Sequence, residues 1–157
     1  MIVVTGNRAE ALARLDVLIG EWIVDAKFPG VTSGNGVVAR SRFEWLLDRQ
    51  FLLQRTEIPI PEAPDSLSII SVDLATGAYT QHYYDTRGVV RLYAMSLSDG
   101  VWTLMRESPD FTPLDFRQRF VGTFSADGNT ISGAWQLGSP DDREWQHDFT
   151  LDYRRTG

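Results

Sequence analysis

The sequence contains no cysteine among its 157 residues. This absence excludes disulfide bonds, thiolate nucleophiles and thiolate metal sites, and it is compatible with the reducing cytoplasm. Histidine is also scarce, with two copies in the whole chain. A zinc site would have to recruit carboxylates in addition to these two side chains. We therefore predict a cytoplasmic protein without a bound metal ion, and the composition identifies no cofactor.

Positive charge and long hydrophobic runs are likewise scarce. The formal net charge is -6 at pH 7, which disfavours nucleic acids and anionic membrane surfaces as partners. No stretch approaches the roughly 20 apolar residues of a membrane-spanning helix. The first seven residues lack the basic start and the long hydrophobic region of a signal peptide. We expect neither nucleic acid nor membrane as a partner, and the oligomeric state, including a homodimer, stays open.

Self-sufficient catalytic motifs are absent as well. The chain has no G-x-S-x-G nucleophile elbow, no Walker loop and no H-E-x-x-H helix. Gly34, Gly36 and Ala39 match the loose dinucleotide pattern G-x-G-x-x-A. That pattern requires a helix to follow, whose N-terminus binds the pyrophosphate, but here a charged, alternating strand follows. The match is therefore rejected, and whether the protein is an enzyme stays open.

Short alternating segments separated by turn residues make up most of the chain. Glycine, proline, asparagine and aspartate occupy the short links, which indicates antiparallel hairpins. Closing the sheet on itself removes both exposed edges. We therefore predict one all-β domain over residues 1–157, an up-and-down antiparallel barrel of about ten strands. The strands are expected near 22–28, 36–46, 51–58, 67–73, 78–85, 89–97, 101–108, 115–124, 129–137 and 144–154.

One short helix precedes the strands. Asn7 and Glu10 form a variant of the capping box, which predicts a helix over about residues 8–19. Its apolar stripe consists of Leu12, Leu15, Leu18 and Ile19. We expect this stripe to pack against an end or a side of the barrel, as a lid or plug. Two longer, proline-containing links, 59–65 and 109–115, are the candidate mouth loops.

Alternation assigns inner and outer faces where the pattern is clean. In the second strand the predicted inner face is Val37, Ala39, Ser41, Phe43 and Trp45. In the last strand it is Trp145, His147, Phe149, Leu151 and Tyr153. The strands through Leu52 and Leu92 are too uniformly apolar to assign. Of the adjacent pair Arg106 and Glu107, whichever charge faces inward is a candidate ligand anchor, and the alternative is that both are exposed near a strand end.

Aromatic residues concentrate on the predicted inner face. Flat apolar ligands and packed cores use the same residue types, so both interpretations stay open. We favour binding of a small hydrophobic or aromatic molecule in the barrel lumen. The candidate binding residues are Trp22, Phe43, Trp45, Trp135, Trp145, His147 and Phe149.

Three alternatives remain. An inward His147 is able to ligate haem iron, and either His147 or His82 is able to move protons in a cofactor-free enzyme. A completely filled barrel acting as an interaction module is the third. The sequence does not choose between these.

Four segments resemble a widespread bacterial lipocalin-like domain family of unknown function in the calycin superfamily, whose barrels have fatty-acid-binding-protein-like topology. They read LDVLIGEW at 15–22, WLLDRQFL at 45–52, DLATGAY at 73–79 and WQHDFTLDYR at 145–154. The resemblance covers nearly the whole chain and implies a calycin-type barrel.

Nitrobindin, a haem-binding calycin, is similar more distantly. It shares a glycine-tryptophan signature at the first strand, here Gly20 and Trp22, and it carries an iron-ligating histidine on the closing strand. The resemblance implies His147 as the proximal ligand. Nitrobindin continues its signature with further glycines, whereas this chain continues with IVDA at 23–26.

Overall fold

The computed structural model describes residues 5–29, 37–61 and 63–156. Ten strands follow the N-terminal helix, at positions close to those predicted. The strands are β1 (Gly20–Lys27), β2 (Val37–Leu46), β3 (Phe51–Glu57), β4 (Ser66–Val72), β5 (Tyr79–Asp85), β6 (Val90–Ser98), β7 (Val101–Arg106), β8 (Arg117–Phe124), β9 (Thr130–Gly138) and β10 (Gln146–Arg155).

The sheet is a closed barrel. Every strand pairs antiparallel with its neighbours in the chain, and β1 also pairs with β10. Ile23, for example, lies opposite Arg40 of β2 on one side and opposite Arg154 of β10 on the other. None of the ten strands in the described ranges has an unpaired edge, which removes the template for edge-to-edge association. The predicted ten-stranded, up-and-down antiparallel barrel is confirmed.

The N-terminal helix α1 (Thr5–Arg14) continues into a 3₁₀ turn over Leu15–Leu18. The helix begins three residues before the predicted start, so Asn7 lies inside it and is not its N-cap. The side chains of Leu15 and Leu18 are completely buried, and the half-buried Leu12 packs against the same core. The predicted packing of this apolar stripe against the barrel is confirmed.

The helix covers the end of the barrel at which β1 begins and β10 ends, which we call the closed end. The Tyr79 hydroxyl donates a hydrogen bond of 2.5 Å to the Ala11 carbonyl of α1. The Trp22 indole donates one of 2.9 Å to the Leu18 carbonyl. These two bonds hold the helix and the 3₁₀ turn onto the strands. The opposite end, with the β3–β4, β5–β6, β7–β8 and β9–β10 connections, is the mouth.

A hydrophobic core fills the closed end. Its largest fully buried members come from the 3₁₀ turn and from seven strands: Leu15, Leu18, Trp22, Phe43, Leu52, Ile70, Trp102, Phe120 and Ile131. Burial of this apolar surface is the main stabilising contribution to the fold. No helix within the described ranges is long and apolar enough to cross a membrane.

Candidate ligand-binding cavity

A cavity of about 530 Å³ lies inside the barrel between the closed end and the mouth. Most of its wall is apolar: Val24, Ala26, Phe28, Ala39, Ile58, Ile60, Ala63, Pro64, Trp102, Leu104, Phe120, Trp135, Phe149 and Leu151. The polar lining residues are Gln54, Thr56, Ser66, Ser68, Gln81, Tyr83, Arg87, Arg91, Gln118 and Tyr153. The first predicted mouth loop, 59–65, thus contributes to the lining, whereas no described residue of 109–115 does.

Aromatic rings form the floor of the cavity. The ring centroid of Trp102 lies 5.1 Å from that of Phe120 and 5.7 Å from that of Tyr153. On its other side Trp102 meets Phe43 of the closed-end core at 6.0 Å. Such edge-to-face and tilted contacts stabilise aromatic clusters beyond simple burial. Trp102 therefore joins the cavity floor to the core beneath it.

One polar patch of the wall is internally hydrogen-bonded. The Gln54 amide donates to the Ser41 hydroxyl at 3.0 Å and to the Tyr153 hydroxyl at 3.4 Å. Ser41 and Thr56 share a further bond of 3.0 Å. Burial raises the pKa of Tyr153 to about 12, although the bond from Gln54 lowers it slightly. Tyr153 therefore stays protonated near neutral pH, and this patch is neutral.

Two deeply buried polar groups in the wall lack partners. Gln81 is 4% exposed and Trp102 is 1% exposed. Neither the Gln81 Oε1 atom nor the Trp102 Nε1 atom has a hydrogen-bond partner among the described residues. Buried polar atoms without partners are uncommon in folded proteins, because each carries an uncompensated desolvation cost. These atoms offer one acceptor and one donor to a molecule inside the barrel.

Asp85 binds Arg87 near the mouth. An ion pair of 2.6 Å joins them, and the Tyr83 hydroxyl donates to the same carboxylate at 2.8 Å. Burial by itself would raise the pKa of Asp85, but the bonds from Arg87 and Tyr83 outweigh it and hold the pKa at about 2. Burial and the bond to Asp85 both raise the pKa of Tyr83. The carboxylate of Asp85 therefore balances the positive charge of Arg87.

Arg106 faces inward but lies outside the cavity lining. Its guanidinium makes two bonds of 2.9 Å to Asp110 and one of 2.7 Å to the Thr112 carbonyl. The neighbouring Glu107 is largely exposed and pairs with Arg117 at 3.4 Å. Arg106, the inward-facing member of the Arg106–Glu107 pair, thus stabilises the β7–β8 connection.

Two of the seven predicted binding residues line the cavity, Trp135 and Phe149. Trp135 packs against Phe120, with the ring centroids 5.3 Å apart. Phe149 lies nearer the mouth and stacks on Phe28 at 4.8 Å. Their position on the cavity wall is compatible with ligand binding, and their participation in it stays a prediction.

The other tryptophans and the phenylalanine lie outside the cavity lining. Trp22 and Phe43 are buried in the closed-end core. Trp45 is half-buried at that end, with the Arg49 guanidinium 4.8 Å from its ring centroid. Trp145 precedes β10 and is covered by two other guanidinium groups, those of Arg117 at 4.2 Å and Arg119 at 4.5 Å. Cation–π contacts, rather than a ligand, occupy these last two rings.

The prediction that His147 faces into the barrel is wrong, because its side chain is exposed on the outer surface. A β-bulge lies between His147 and Phe149 in the pairing of β10 with β9. His147 pairs with Gln136, whereas Phe149 pairs with the cavity residue Trp135. The extra residue, Asp148, shifts the alternation of inner and outer faces by one position. Phe149 therefore faces the lumen, whereas His147 faces the outer surface.

His82 also lies on the outer face, since its strand neighbours Gln81 and Tyr83 both line the cavity. The described lining consequently contains no histidine, methionine or cysteine. The site therefore does not fit haem held by His147, nor proton transfer by a histidine in the lumen. No group of three or more histidine, aspartate or glutamate residues in the described ranges is placed to hold a metal ion.

The cavity lining includes four further residues that were not predicted from the sequence: Gln81, Arg91, Trp102 and Gln118. Trp102 and Leu104 do alternate with polar or less buried neighbours in β7, which is a usable signal. In the part of β5 and β6 nearest the mouth, by contrast, the polar side chains of Gln81 and Arg91 face the lumen and the hydrophobic Leu92 faces outward. That inversion removes the apolar-in pattern on which face assignment depends.

No family model and no curated protein sequence matches the chain. Among solved structures, the protein is similar to the crystal structure of Rv2717c from M. tuberculosis, with a TM-score of 0.60. The two sequences are 15% identical, and the similarity covers 94% of this chain and 98% of the other. The similarity at this level of identity concerns the fold.

Proposed function

We propose that the barrel binds one small, mainly hydrophobic or aromatic molecule in its lumen. The observation that carries the proposal is a cavity of about 530 Å³ whose mainly apolar wall contains unpartnered polar atoms of the deeply buried Gln81 and Trp102. Small-molecule sites commonly have volumes of about 300–1,000 Å³, and a few fixed polar groups in them orient the ligand. Both properties are present here.

The wall suits a ligand with a flat apolar part. Phe120, Trp135 and Phe149 offer ring surfaces on β8, β9 and β10. Gln81 and Trp102 offer hydrogen bonds from β5 and β7. A ligand that satisfies these atoms removes the desolvation cost they carry in the free protein, so specificity follows from their placement.

The test is a thermal-shift and tryptophan-fluorescence screen with apolar and aromatic compounds. A ligand that binds only the folded protein stabilises it by about 2.7 kcal/mol at a hundredfold excess over Kd, and Trp102 and Trp135 should report its entry. Native mass spectrometry of protein purified from its own host then identifies a retained ligand. No response to any compound, with no retained molecule, would contradict the proposal.

A matched pair of variants tests whether the ligand binds inside the barrel. Ala39 lines the cavity, whereas the adjacent Val38 is 46% exposed on the outer face of the same strand. We expect Ala39→Phe to reduce the cavity volume and weaken binding, and Val38→Phe to leave binding unchanged. Equal effects of the two substitutions would place the ligand elsewhere.

We further infer that the protein is a calycin barrel of the lipocalin-like kind. The closed ten-stranded topology, the helix at one end and the Gly20–Trp22 signature support this assignment. Similarity to nitrobindin then concerns the barrel and not haem ligation, since neither histidine faces the lumen. Titration with haem should give no histidine-ligated Soret spectrum. A cytoplasmic location remains a sequence-based prediction, which cell fractionation tests.

A further inference from the structure

Arg91 differs from the two other arginines on its side of the barrel. Arg87 binds Asp85 at 2.6 Å, and Arg106 binds Asp110 at 2.9 Å. Each of these guanidinium groups thus has a carboxylate to balance its charge. Arg91, on β6 between them, has no carboxylate within 4 Å among the described residues, although it lines the cavity.

The hydrogen bonds of Arg91 are also incomplete. One terminal nitrogen donates to the Gln118 Oε1 atom at 3.4 Å, a long bond to an oxygen that already accepts from Tyr93 at 3.1 Å. The Nε atom is buried and has no partner among the described residues. A guanidinium has five N–H donors, so most of the capacity of Arg91 is unused on the protein side.

The charge of the lining is positive although the chain carries a net charge of -6. No aspartate or glutamate is among the described lining residues, and the charge of Arg87 is balanced by Asp85. Arg91 therefore leaves about one uncompensated positive charge at a partly buried position. Removing a charge from water is costly unless an opposite charge and hydrogen bonds replace the lost solvation.

We propose that the molecule bound in the lumen is an organic monoanion, with an apolar body and one carboxylate-type group, and that Arg91 binds the anionic group. This inference rests on the proposed function and specifies its ligand class. Charge-assisted bonds from a guanidinium to a carboxylate are stronger than neutral hydrogen bonds and are geometrically specific. The unused donors of Arg91 are the groups that such an anion requires.

Gln81 is placed to contribute a second bond. In the pairing of β5 with β6, Tyr83 lies opposite Arg91 and Gln81 lies opposite Tyr93. Gln81 and Arg91 are therefore diagonal neighbours on the inner face, which is within reach for long side chains. A half-turn of the Gln81 amide exchanges its unpartnered oxygen for the NH₂ group, which then donates to the same anion. The apolar body is left to pack on Trp135, whose ring lies 5.6 Å from that of Tyr93.

The experiment compares two rigid probes of nearly equal shape, 2-naphthoate and its neutral counterpart 2-naphthamide, by calorimetry at pH 7. We expect the wild-type protein to bind the anion about tenfold more tightly, or better, as one charge-assisted bond predicts. Arg91→Met should abolish this preference while the affinity for naphthamide changes little. Arg40→Met removes the same charge from an exposed position on the outer face of β2 and should keep the preference.

A cationic probe, 2-naphthylmethylammonium, tests the charge preference without any substitution, so the result does not depend on the folding of a variant. We expect it to bind more weakly than naphthamide. Equal binding of the three probes, or an undiminished preference for the anion in Arg91→Met, overturns the inference and leaves lumen binding standing. If neither the probes nor the compounds of the wider screen bind, the proposed function fails together with it.

Discussion

The ring of Phe120 lies directly against the backbone of Gly133. A β-carbon at Gly133 would stand 2.6 Å from the Phe120 Cε1 atom and 2.6 Å from the Leu151 carbonyl oxygen. Gly122, which pairs with Gly133 across β8 and β9, leaves room for the same ring. The aromatic floor of the cavity therefore depends on two paired residues that have no side chain.

Gly133→Ala should destabilise the protein by about 1–3 kcal/mol, because the added methyl group overpacks the site and displaces Phe120 or strand β10. Chemical denaturation measures the change in the free energy of unfolding. Ser132→Ala, at the neighbouring exposed position of β9, is the control and should have little effect. An unchanged free energy of unfolding for Gly133→Ala would show that the ring is free to move away.

Gln81→Met should stabilise the free protein by about 1 kcal/mol, because it replaces an unpartnered buried amide with an apolar side chain of similar length. The same substitution should weaken binding of a polar or anionic ligand. Thermal unfolding and calorimetry with 2-naphthoate measure the two effects. Gln146→Met, at an exposed position of β10, is the control. A loss of stability together with unchanged binding would contradict a ligand-directed role for Gln81.

The ion pair between Arg106 and Asp110 should make the fold sensitive to acid. Burial tends to raise the pKa of Asp110, but bonds from Arg106 and from the Leu92 and Thr112 amides hold it at about 2, below its ordinary 3.8. The unfolded chain therefore takes up this proton at higher pH than the folded protein does. The stability contributed by Asp110 is complete above about pH 4 and is lost as the pH falls through 2.

Asp110→Asn should accordingly cost about 3–5 kcal/mol at pH 7, since it leaves the buried Arg106 charge unpaired, and it should flatten the acid limb of the stability curve. Asp16→Asn breaks the exposed pair of Asp16 with Arg49, which has an N–O distance of 3.2 Å. It should cost less than about 1 kcal/mol. Denaturation midpoints between pH 2 and pH 7 provide the measurement. Similar losses for both variants would argue against a special role for burial.

The turn between β2 and β3 contains three consecutive residues in the left-handed region, Leu47, Asp48 and Arg49, with φ of 48°, 58° and 62°. Leu47 is 75% exposed and therefore loses little packing when it is replaced. Leu47→Gly should raise the free energy of unfolding by up to about 1 kcal/mol, because relief of the left-handed strain exceeds the added entropy of the unfolded chain. Leu74→Gly, at an equally exposed site without positive φ, should lower it.

Sequence alternation predicted most of the fold because polar and apolar faces are cleanly separated where they matter for topology. In β2, Ala39, Ser41 and Phe43 are buried, whereas Arg40 and Arg42 between them are exposed, as predicted. The same reasoning placed Leu15 and Leu18 against the barrel. The β2 residues obey a period of two, and the pairing of that strand has no bulge. The apolar stripe of the helix stays on one face although the helix tightens into a 3₁₀ turn at Leu15.

The candidate site was harder to predict, for two physical reasons. The bulge at Asp148 shifts the face of His147, and a period-two pattern contains no signal for one inserted residue. The wall formed by β5 and β6 places Gln81 and Arg91 inside, although polar residues are ordinarily assigned to the surface. The rule that polar residues lie on the surface therefore fails at the polar part of the cavity wall.

The helix at the closed end has a consequence for the kinetics of exchange. Because Leu15 and Leu18 seal one end of the barrel, a molecule that binds in the lumen would have to enter and leave through the mouth. Phe28 and Phe149 lie near the mouth, with their ring centroids 4.8 Å apart. Both rings line the cavity, so substitutions at Phe28 or Phe149 should change the exchange rate and the affinity of such a molecule together.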